Sequence, residues 1–533
     1  MPNSMNPGAA VASEIPVAMD PTQTRRLLLG LGLATSMEFY TYDAVNLVLP
    51  DMAGTFGISQ DQASWILTTY SSTSFLSVPL AIWMARRFGY LRYILGSSIV
   101  FVVASVGCAL AADFQEMLVW RAVQGFSGAA LTMWWRASIY MLLPKPQRGK
   151  SLMRISMMLY LATAVGLLFS GWVTDNVNWR WIFIPNIVFL AAAIGLLLRH
   201  FPTVRSPSDP RIERVHKAGI VLLGIGLASL QVLLSRGEIS DWLGSHLIQS
   251  LAWISAISLV IFILWQSSAR NDGRLLRIDL VRDRNVLASI LLGILAGMII
   301  SGSIYALPEY LRHVDPRELD ATHTGQVMCV YAFTAALIRP LVTKSIGLFG
   351  QRKVLTFALA MLIISMLVFA RLITTGTALA YFAIPLVLYA FCLAPLLSSV
   401  GGGTVGRVAQ ADQLDAVSIY MTFRQFGASL GVTSISIILD RRESLHSTRL
   451  FDHLRAGGAL TSHWIGTVAH AVGQRIGYSS HQAHEVAVAL LSETAARQAA
   501  TLAYADAFVC MACVGLAALC LVPLMSPTPV LRP

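Results

Sequence analysis

The stretch LLGILAGMIISGSIYA, residues 291–306, runs without a charged side chain, and VLTFALAMLIISMLVF, residues 354–369, does the same. Neither alternates polar and apolar positions as a half-buried strand does. Hydrocarbon offers no hydrogen-bond partners, so a chain that crosses a bilayer satisfies its backbone internally, as helices or as a closed barrel. Barrel strands read as short alternating segments, whereas a continuous run of about 20 residues reads as a helix. The expected fold class is an all-α integral membrane protein.

Composition over the whole chain points the same way. Of 533 residues 55% are apolar and 13% charged, where a soluble protein carries roughly 25% charged residues. The net charge of +11 comes from basic residues lying between the apolar runs rather than on one soluble face, which argues against a nucleic-acid partner. Cys108, Cys329, Cys392, Cys510, Cys513 and Cys520 all fall inside apolar runs, so they suggest neither a disulfide framework nor a metal site. Gly401-Gly402-Gly403 lacks the lysine and hydroxyl residue of a phosphate-binding loop. No nucleotide-binding domain, cofactor or resident metal is expected, and the chain does not read as an enzyme.

Apolar runs mark spans near residues 27–49, 62–84, 93–112, 116–142, 153–174, 179–198, 218–235, 247–266, 286–308, 322–342, 354–373, 377–400, 416–438 and 503–525. That is fourteen transmembrane helices, and an even number puts both termini on one side. Short loops on the amino-terminal side hold Arg86, Arg87, Arg92, Lys145, Arg148 and Lys150, followed by Arg199, Arg205, Arg211, Arg214 and Lys217. Arg270, Arg274, Arg277, Arg282, Arg284, Lys344, Arg352, Lys353 and Arg407 continue the series. The opposite short loops hold only Arg180, Arg236, Arg312, Arg317 and Arg371. Lys and Arg collect on the cytoplasmic side, so both termini are expected there, flanking a bacterial inner-membrane protein. Residues 441–500 form a long extracytoplasmic connection carrying His446, His453, His463, His470, His481 and His484. Without compact ligand spacing it reads as a solvated loop, with Glu485–Leu491 a candidate interfacial helix.

Polar side chains inside spans need a reason. Glu38 and Asp43 interrupt the first span, where an acid at the bilayer centre costs about 2.5–3.5 kcal/mol by insertion scales. Such groups face a partner or a cavity, so both are candidates for proton coupling. Their spacing turns them about 140° apart on a helix. A structural ion pair for Glu38 and a buried interhelical hydrogen bond for Asp43 are the plainer alternatives. Tyr40, Thr41, Tyr42 and Asn46 are cavity candidates from the same span; packing for the tyrosines and a helix-to-helix bond for Asn46 stay open. The fourth span carries Arg121, Gln124, Trp134, Trp135 and Arg136. Arg121 matches Asp43 in depth and is a candidate partner for it. Arg136 either faces a cavity or snorkels to the headgroups, and the two tryptophans either pack or line the cavity. Arg424 opens a polar-to-small run ending in Gly427 and Gly431, a spacing suited to close helix contact.

The run Arg121-Ala122-Val123-Gln124-Gly125-Phe126-Ser127-Gly128 resembles the fourth-helix motif of the major facilitator superfamily. Asp175 to Phe183 with Asn186, and Leu230-Gln231 with Asp241-Trp242, resemble junctions of its fourteen-span drug:proton antiporter branch, the EmrB/QacA type. The resemblance is strongest over residues 27–200. It implies two six-helix bundles, 27–200 and 286–525, with two inserted helices in 201–285 and tails at 1–26 and 526–533. It also implies alternating access and export of a small amphiphilic compound driven by proton entry, with Arg121 supporting the coupling. A membrane-fusion protein is an implied partner in double-membraned bacteria. The chain departs from the family pattern at three places. Thr41 stands where the family's first-helix acid falls, Ile82 and Arg86 replace the glycine and acid of the cytoplasmic loop motif, and Gly166 to Gly171 lacks the antiporter motif's proline. An importer or uniporter of an organic solute or anion is the alternative within transport; a receptor or scaffold is a different class.

Overall fold

A computed structural model describes residues 20–202 and 217–525, apart from 239, 241, 269–274, 277, 316, 318, 375, 406–407, 409–411 and 457. Arg205, Arg211, Arg214, Asp241, Arg270, Arg274, Arg277 and Arg407 lie outside the described residues, as do 1–19 and 526–533 of the expected tails. Among the described residues the regular structure is helical.

The first group of helices is α1 (Pro21–Leu47), the short α2 (Leu49–Phe56), α3 (Gln60–Phe88), α4 (Tyr90–Leu110), α5 (Phe114–Leu142), α6 (Lys145–Asn176) and α7 (Ile184–His200). Next come α8 (Lys217–Arg236) and α9 (His246–Ser267). The last group is α10 (Arg284–Glu309), α11 (Ala321–Phe349), α12 (Gln351–Leu372), α13 (Ala383–Val405), α14 (Gln413–Ala456), α15 (Gly458–Ile476) and α16 (Ser480–Leu521). The greater part of each expected span falls on one helix. Among the described residues ten helices are long and apolar enough to cross a membrane. The other four expected spans, on α1, α3, α5 and α14, carry most of the polar residues singled out above.

Within the first group α3 packs on α5, α1 on α6 and α7, and α4 on α5 and α7. In the last group α10 packs on α14 and α16, α12 on α13 and α16, and α11 on α13. The two groups meet along α6 with α11 and along α3 with α14. α8 and α9 pair with each other, and α8 leans on α3 and α14. The small-residue spacing at Gly427 and Gly431 has a direct consequence. A Cβ at Gly427 would lie 2.0 Å from the Ile294 carbonyl oxygen, and one at Gly431 2.3 Å from that of Met298. Without side chains there, α10 and α14 come into backbone contact, the arrangement that favours helix association where hydrocarbon provides no hydrophobic driving force.

The face on which α1 begins is termed proximal, the opposite one distal. Gln23 and Arg26 meet His200 on the proximal face, whereas Trp179 Nε1 donates to Thr55 on the distal face.

The connection 441–500, expected as a solvated loop with a candidate helix at Glu485–Leu491, is helical over residues 441–456, 458–476 and 480–500. α14 continues through Asp440 to Ala456, and α16 begins at Ser480, capped by reciprocal bonds between Ser479 and Gln482. With 44 and 42 residues, these two helices are about 66 and 63 Å long at 1.5 Å per residue. That is roughly twice the hydrocarbon thickness of about 30 Å. Their distal portions keep helical form because α16 packs on both α14 and α15.

Candidate functional site

α1 is polar enough to be costly in lipid, and the fold covers it with α5, α6 and α7. Its Glu38 and Asp43 both line a cavity of about 110 Å³ between the two groups of helices. Tyr42 stands beside them, facing Tyr70, Thr132 and Tyr160 of the first group and Ser301, Tyr331 and Arg424 of the second. At roughly 10–15 Å³ per water centre, the space admits several waters or a small ligand.

The two carboxylates take different partners. Tyr70 Oη of α3 donates to Glu38 Oε1 at 3.0 Å. Tyr331 Oη of α11 donates to Asp43 Oδ2 at 3.0 Å, so Asp43 is held from across the interface. The separation in angle expected from their spacing thus becomes a separation between the two halves.

Arg121 is fully buried, and the depth-matched pairing with Asp43 is not formed. Its guanidinium donates to Gln124 Oε1 at 2.6 Å and to the Ile66 carbonyl at 3.3 Å. The same group stacks on the Tyr70 ring, 4.2 Å from its centre. Depth alone does not fix azimuth, and the contact of α5 with α3 turns Arg121 toward Tyr70. Gly125 makes that contact close, since a Cβ there would be 2.2 Å from the Tyr70 carbonyl oxygen. Arg121 therefore reaches Glu38 through one aromatic ring.

A polar chain continues from Arg121. Gln124 Nε2 donates to Ser105 Oγ at 2.8 Å, Asn186 Nδ2 donates to the same hydroxyl at 3.1 Å, and Thr41 Oγ1 donates to Asn186 Oδ1 at 2.9 Å. The series runs from Glu38 through α3, α5, α4 and α7 and returns to α1 at Thr41. Thr41, at the place of the family's first-helix acid, thus serves as a hydrogen-bonding node.

The remaining expected cavity residues lie behind the wall. Tyr40 Oη donates to the Ile182 carbonyl at 2.7 Å, and its ring lies on Gly166. Asn46 Nδ2 donates to the Ile304 carbonyl at 2.9 Å, tying α1 to α10. Trp134 packs between Tyr90 and Tyr93. Arg136 lies over Trp135 at 4.2 Å. Sequence reasoning missed Tyr70, Tyr160, Tyr331 and Arg339. A charge within the span 322–342 was signal enough for Arg339, and the polar run Thr68 to Ser74 was signal for Tyr70. Tyr160 and Tyr331 sit in apolar surroundings that look like ordinary packing.

Polar contacts bracket the cavity on both faces. Distally, Arg312 of the turn after α10 pairs with Asp51 of α2 at 3.0 Å, and Asp175 of α6 accepts from the Thr322 amide at 2.7 Å at the start of α11. Proximally, Arg86 pairs with Asp415 at 3.4 Å, and Arg339 donates to Ser156 of α6 at 2.9 Å.

A cavity between two helical groups, lined by apolar side chains with a few polar ones and set among helices apolar enough to cross a bilayer, is the arrangement of a multi-pass membrane transporter. The chain belongs to the Major Facilitator Superfamily, whose profile matches residues 31–432. It is similar to "Multidrug export protein EmrB" of Haemophilus influenzae, 26% identical over 80% of this chain and 83% of that protein. It is also similar to "Fatty acid resistance protein FarB" of Neisseria gonorrhoeae, 27% identical over 84% of this chain and 86% of that one. The crystal structure of the proton:xylose symporter XylE superposes with a TM-score of 0.58 at 13% identity, covering 94% of this chain and 95% of that one. That likeness shows the shared fold.

Proposed function

We propose that this chain is a secondary active exporter of small amphiphilic compounds that works by alternating access, with proton entry through Glu38 and Asp43 as the driving force. The observation that carries the reading is that both acids and both helical halves line the same cavity. Export is favoured by the similarity to EmrB and FarB. Proton coupling is favoured by two carboxylates within one helix that face a cavity between the halves, since acids at membrane depth ordinarily mark substrate or proton pathways. In this reading the bundles 27–200 and 286–525 rock about α6–α11 and α3–α14, and the chain makes fourteen crossings.

The excess of arginines and lysines in the short loops on the amino-terminal side of the sequence favours both termini in the cytoplasm of a bacterium, with the protein in its inner membrane. The distal helices of α14 to α16 then stand outside the membrane, where a membrane-fusion protein is the proposed partner.

Reconstitution in liposomes with an imposed pH gradient tests the core of this reading. Substrate-dependent proton flux is expected, lost in Glu38→Gln or Asp43→Asn. Coupled transport that persists in both variants and in the double variant excludes the carboxylates as the coupling groups. Substrate movement indifferent to the gradient would instead make the protein a uniporter.

A further inference from the structure

Away from the cavity, basic residues gather at the proximal ends of three neighbouring helices: Arg25 and Arg26 of α1, Lys150 and Arg154 of α6, and Arg199 and His200 of α7. Two glycines seat α1 against the other two. A Cβ at Gly32 would lie 2.8 Å from Met158 Cε of α6, and one at Gly30 3.2 Å from Leu196 Cβ of α7. At about 100° per residue these glycines point about 160° apart, and the exposed Leu29 lies within that arc. Arg25 falls in the same arc on the α6 side, and Arg26 on the α7 side. Arg154 and Lys150 stand one and two turns before Met158, about 6 and 12 Å nearer the proximal face, and Arg25 stands about 10 Å nearer it than Gly32. The cations therefore share one level around a groove floored by α1 and walled by α6 and α7.

The α7 side of this groove is closed by protein. His200 Nδ1–H donates to the Leu196 carbonyl at 3.0 Å, which leaves Nε2 to accept from Arg26 Nη1 at 3.2 Å. Gln23 Nε2 donates to the His200 carbonyl at 3.2 Å, so α1 is tied to α7 twice. The α6 side is different. Arg25, Lys150 and Arg154 are exposed, and among the described residues none of them pairs with a carboxylate. Asp20, the acid at this end of α1, caps the helix on the Thr22 amide. Distal to the three cations the groove turns apolar. Leu29 lies one turn beyond Arg25, and Met157 and Leu161 lie one and two turns beyond Arg154, all exposed on the same stripes. Like charges this close repel one another, and the surface combines a cationic level with an apolar strip running into the bilayer.

We propose that this groove holds an anionic phospholipid: Arg25, Lys150 and Arg154 bind its phosphate-bearing headgroup while its acyl chains lie on Leu29, Met157 and Leu161. Basic pockets between membrane helices favour anionic headgroups, and each cation near the surface adds to the attraction. The phosphodiester supplies the negative charge that the two helix ends lack, and the chains cover an apolar strip that a soluble anion would leave bare. The lipid ties α1 to α6 as the Arg26–His200 bond ties it to α7. The helix that carries Glu38 and Asp43 is then held on both sides.

Native mass spectrometry of the full chain, delipidated in detergent and titrated with dioleoylphosphatidylglycerol or dioleoylphosphatidylcholine, tests it. The first phosphatidylglycerol is expected to bind at least about tenfold more tightly than the first phosphatidylcholine. Arg25→Gln, Lys150→Gln and Arg154→Gln together should lose about tenfold or more of the phosphatidylglycerol affinity and leave that for phosphatidylcholine unchanged. A variant of matched charge on the other half, Lys344→Gln with Arg352→Gln and Lys353→Gln, should keep the wild-type preference. Equal affinity for the two lipids in the wild type overturns the proposal without recourse to any variant. Equal losses in the two triple variants overturn it as well, because the attraction would then belong to the whole proximal face. Glycerol 3-phosphate in excess should leave the lipid bound, since it lacks acyl chains. Displacement by it would mark a soluble-anion site and overturn the lipid assignment.

Discussion

Arg86, near the proximal end of α3, reaches across the interface to Asp415 in the first turn of α14, with 3.4 Å between Nη2 and Oδ2. The residue that stands where the resembling family has an acid in its loop motif is here a base, and its partner on the other half is an acid. The pair ties the proximal ends of the two halves together.

Reversal of both charges should therefore rescue reversal of one. Arg86→Asp places two acids together and is expected to reduce transport severalfold. Arg86→Asp combined with Asp415→Arg should recover most of the rate. Both side chains are partly shielded, so a coupling of about 0.5–2 kcal/mol is expected for residues in contact. Initial transport rates of the four proteins measure it, and strictly additive losses would dismiss the latch.

A second cycle distinguishes Glu38 from Asp43 as the acid coupled to Arg121. Arg121 meets Glu38 through the Tyr70 ring, whereas Asp43 is held by Tyr331. Arg121→Ala and Glu38→Gln should be coupled by more than about 0.5 kcal/mol in gradient-driven transport, the range for residues sharing a network. Arg121→Ala and Asp43→Asn should add independently. Tyr70→Phe, which removes only the hydroxyl, should weaken the first coupling. The opposite ranking would restore the pairing expected from depth.

Gly427→Ala is expected to destabilise the second half, because its Cβ would meet the Ile294 carbonyl oxygen at 2.0 Å and backbone cannot yield as a flexible side chain does. Overpacking of this kind costs about 1–3 kcal/mol. Gly195→Ala, which meets nothing within 4 Å, is the control. Thermal unfolding in detergent should show a lowered midpoint for the first and little change for the second.

Glu238, in the distal turn after α8, provides a pH dependence outside the spans. A hydrogen bond from Trp242 Nε1, supported by Arg441 of α14 at 3.2 Å, holds its carboxyl below the ordinary value of 4.5. The folded protein thus binds fewer protons here than the unfolded chain does. The stabilisation is complete above the unfolded value and is lost as pH falls through the depressed folded one. Exchange protection factors for the turn should stay constant from neutral pH down to about the ordinary glutamate range, then decline. Glu238→Gln should remove that decline. A turn that loosens as pH rises instead would contradict the assignment.

Much of the architecture was legible in residues 291–306 and their counterparts, because a bilayer forces one secondary structure on any long uncharged run. Membrane insertion, the positions of the helices and the identity of the costly residues Glu38, Asp43, Arg121 and Arg136 follow from composition and span length alone. Gly427 and Gly431 likewise announced a close helix contact, since their spacing is a one-dimensional property. Partner choice was a different matter. Arg121 and Asp43 share a depth but not a facing direction, and azimuth is set by how α5 packs on α3. Tyr160 and Tyr331 look like core aromatics until the two halves come together and turn their hydroxyls into one cavity. The helical form of residues 441–456 and 458–476 also depended on packing, because a polar segment gains stable helix mainly from tertiary contact, here of α14 and α15 with α16. The sequence by itself determined which groups must be hidden from lipid. Only the tertiary structure decided which of them meet, because pairing across helices from distant parts of the chain depends on rotation and contact that no local run encodes.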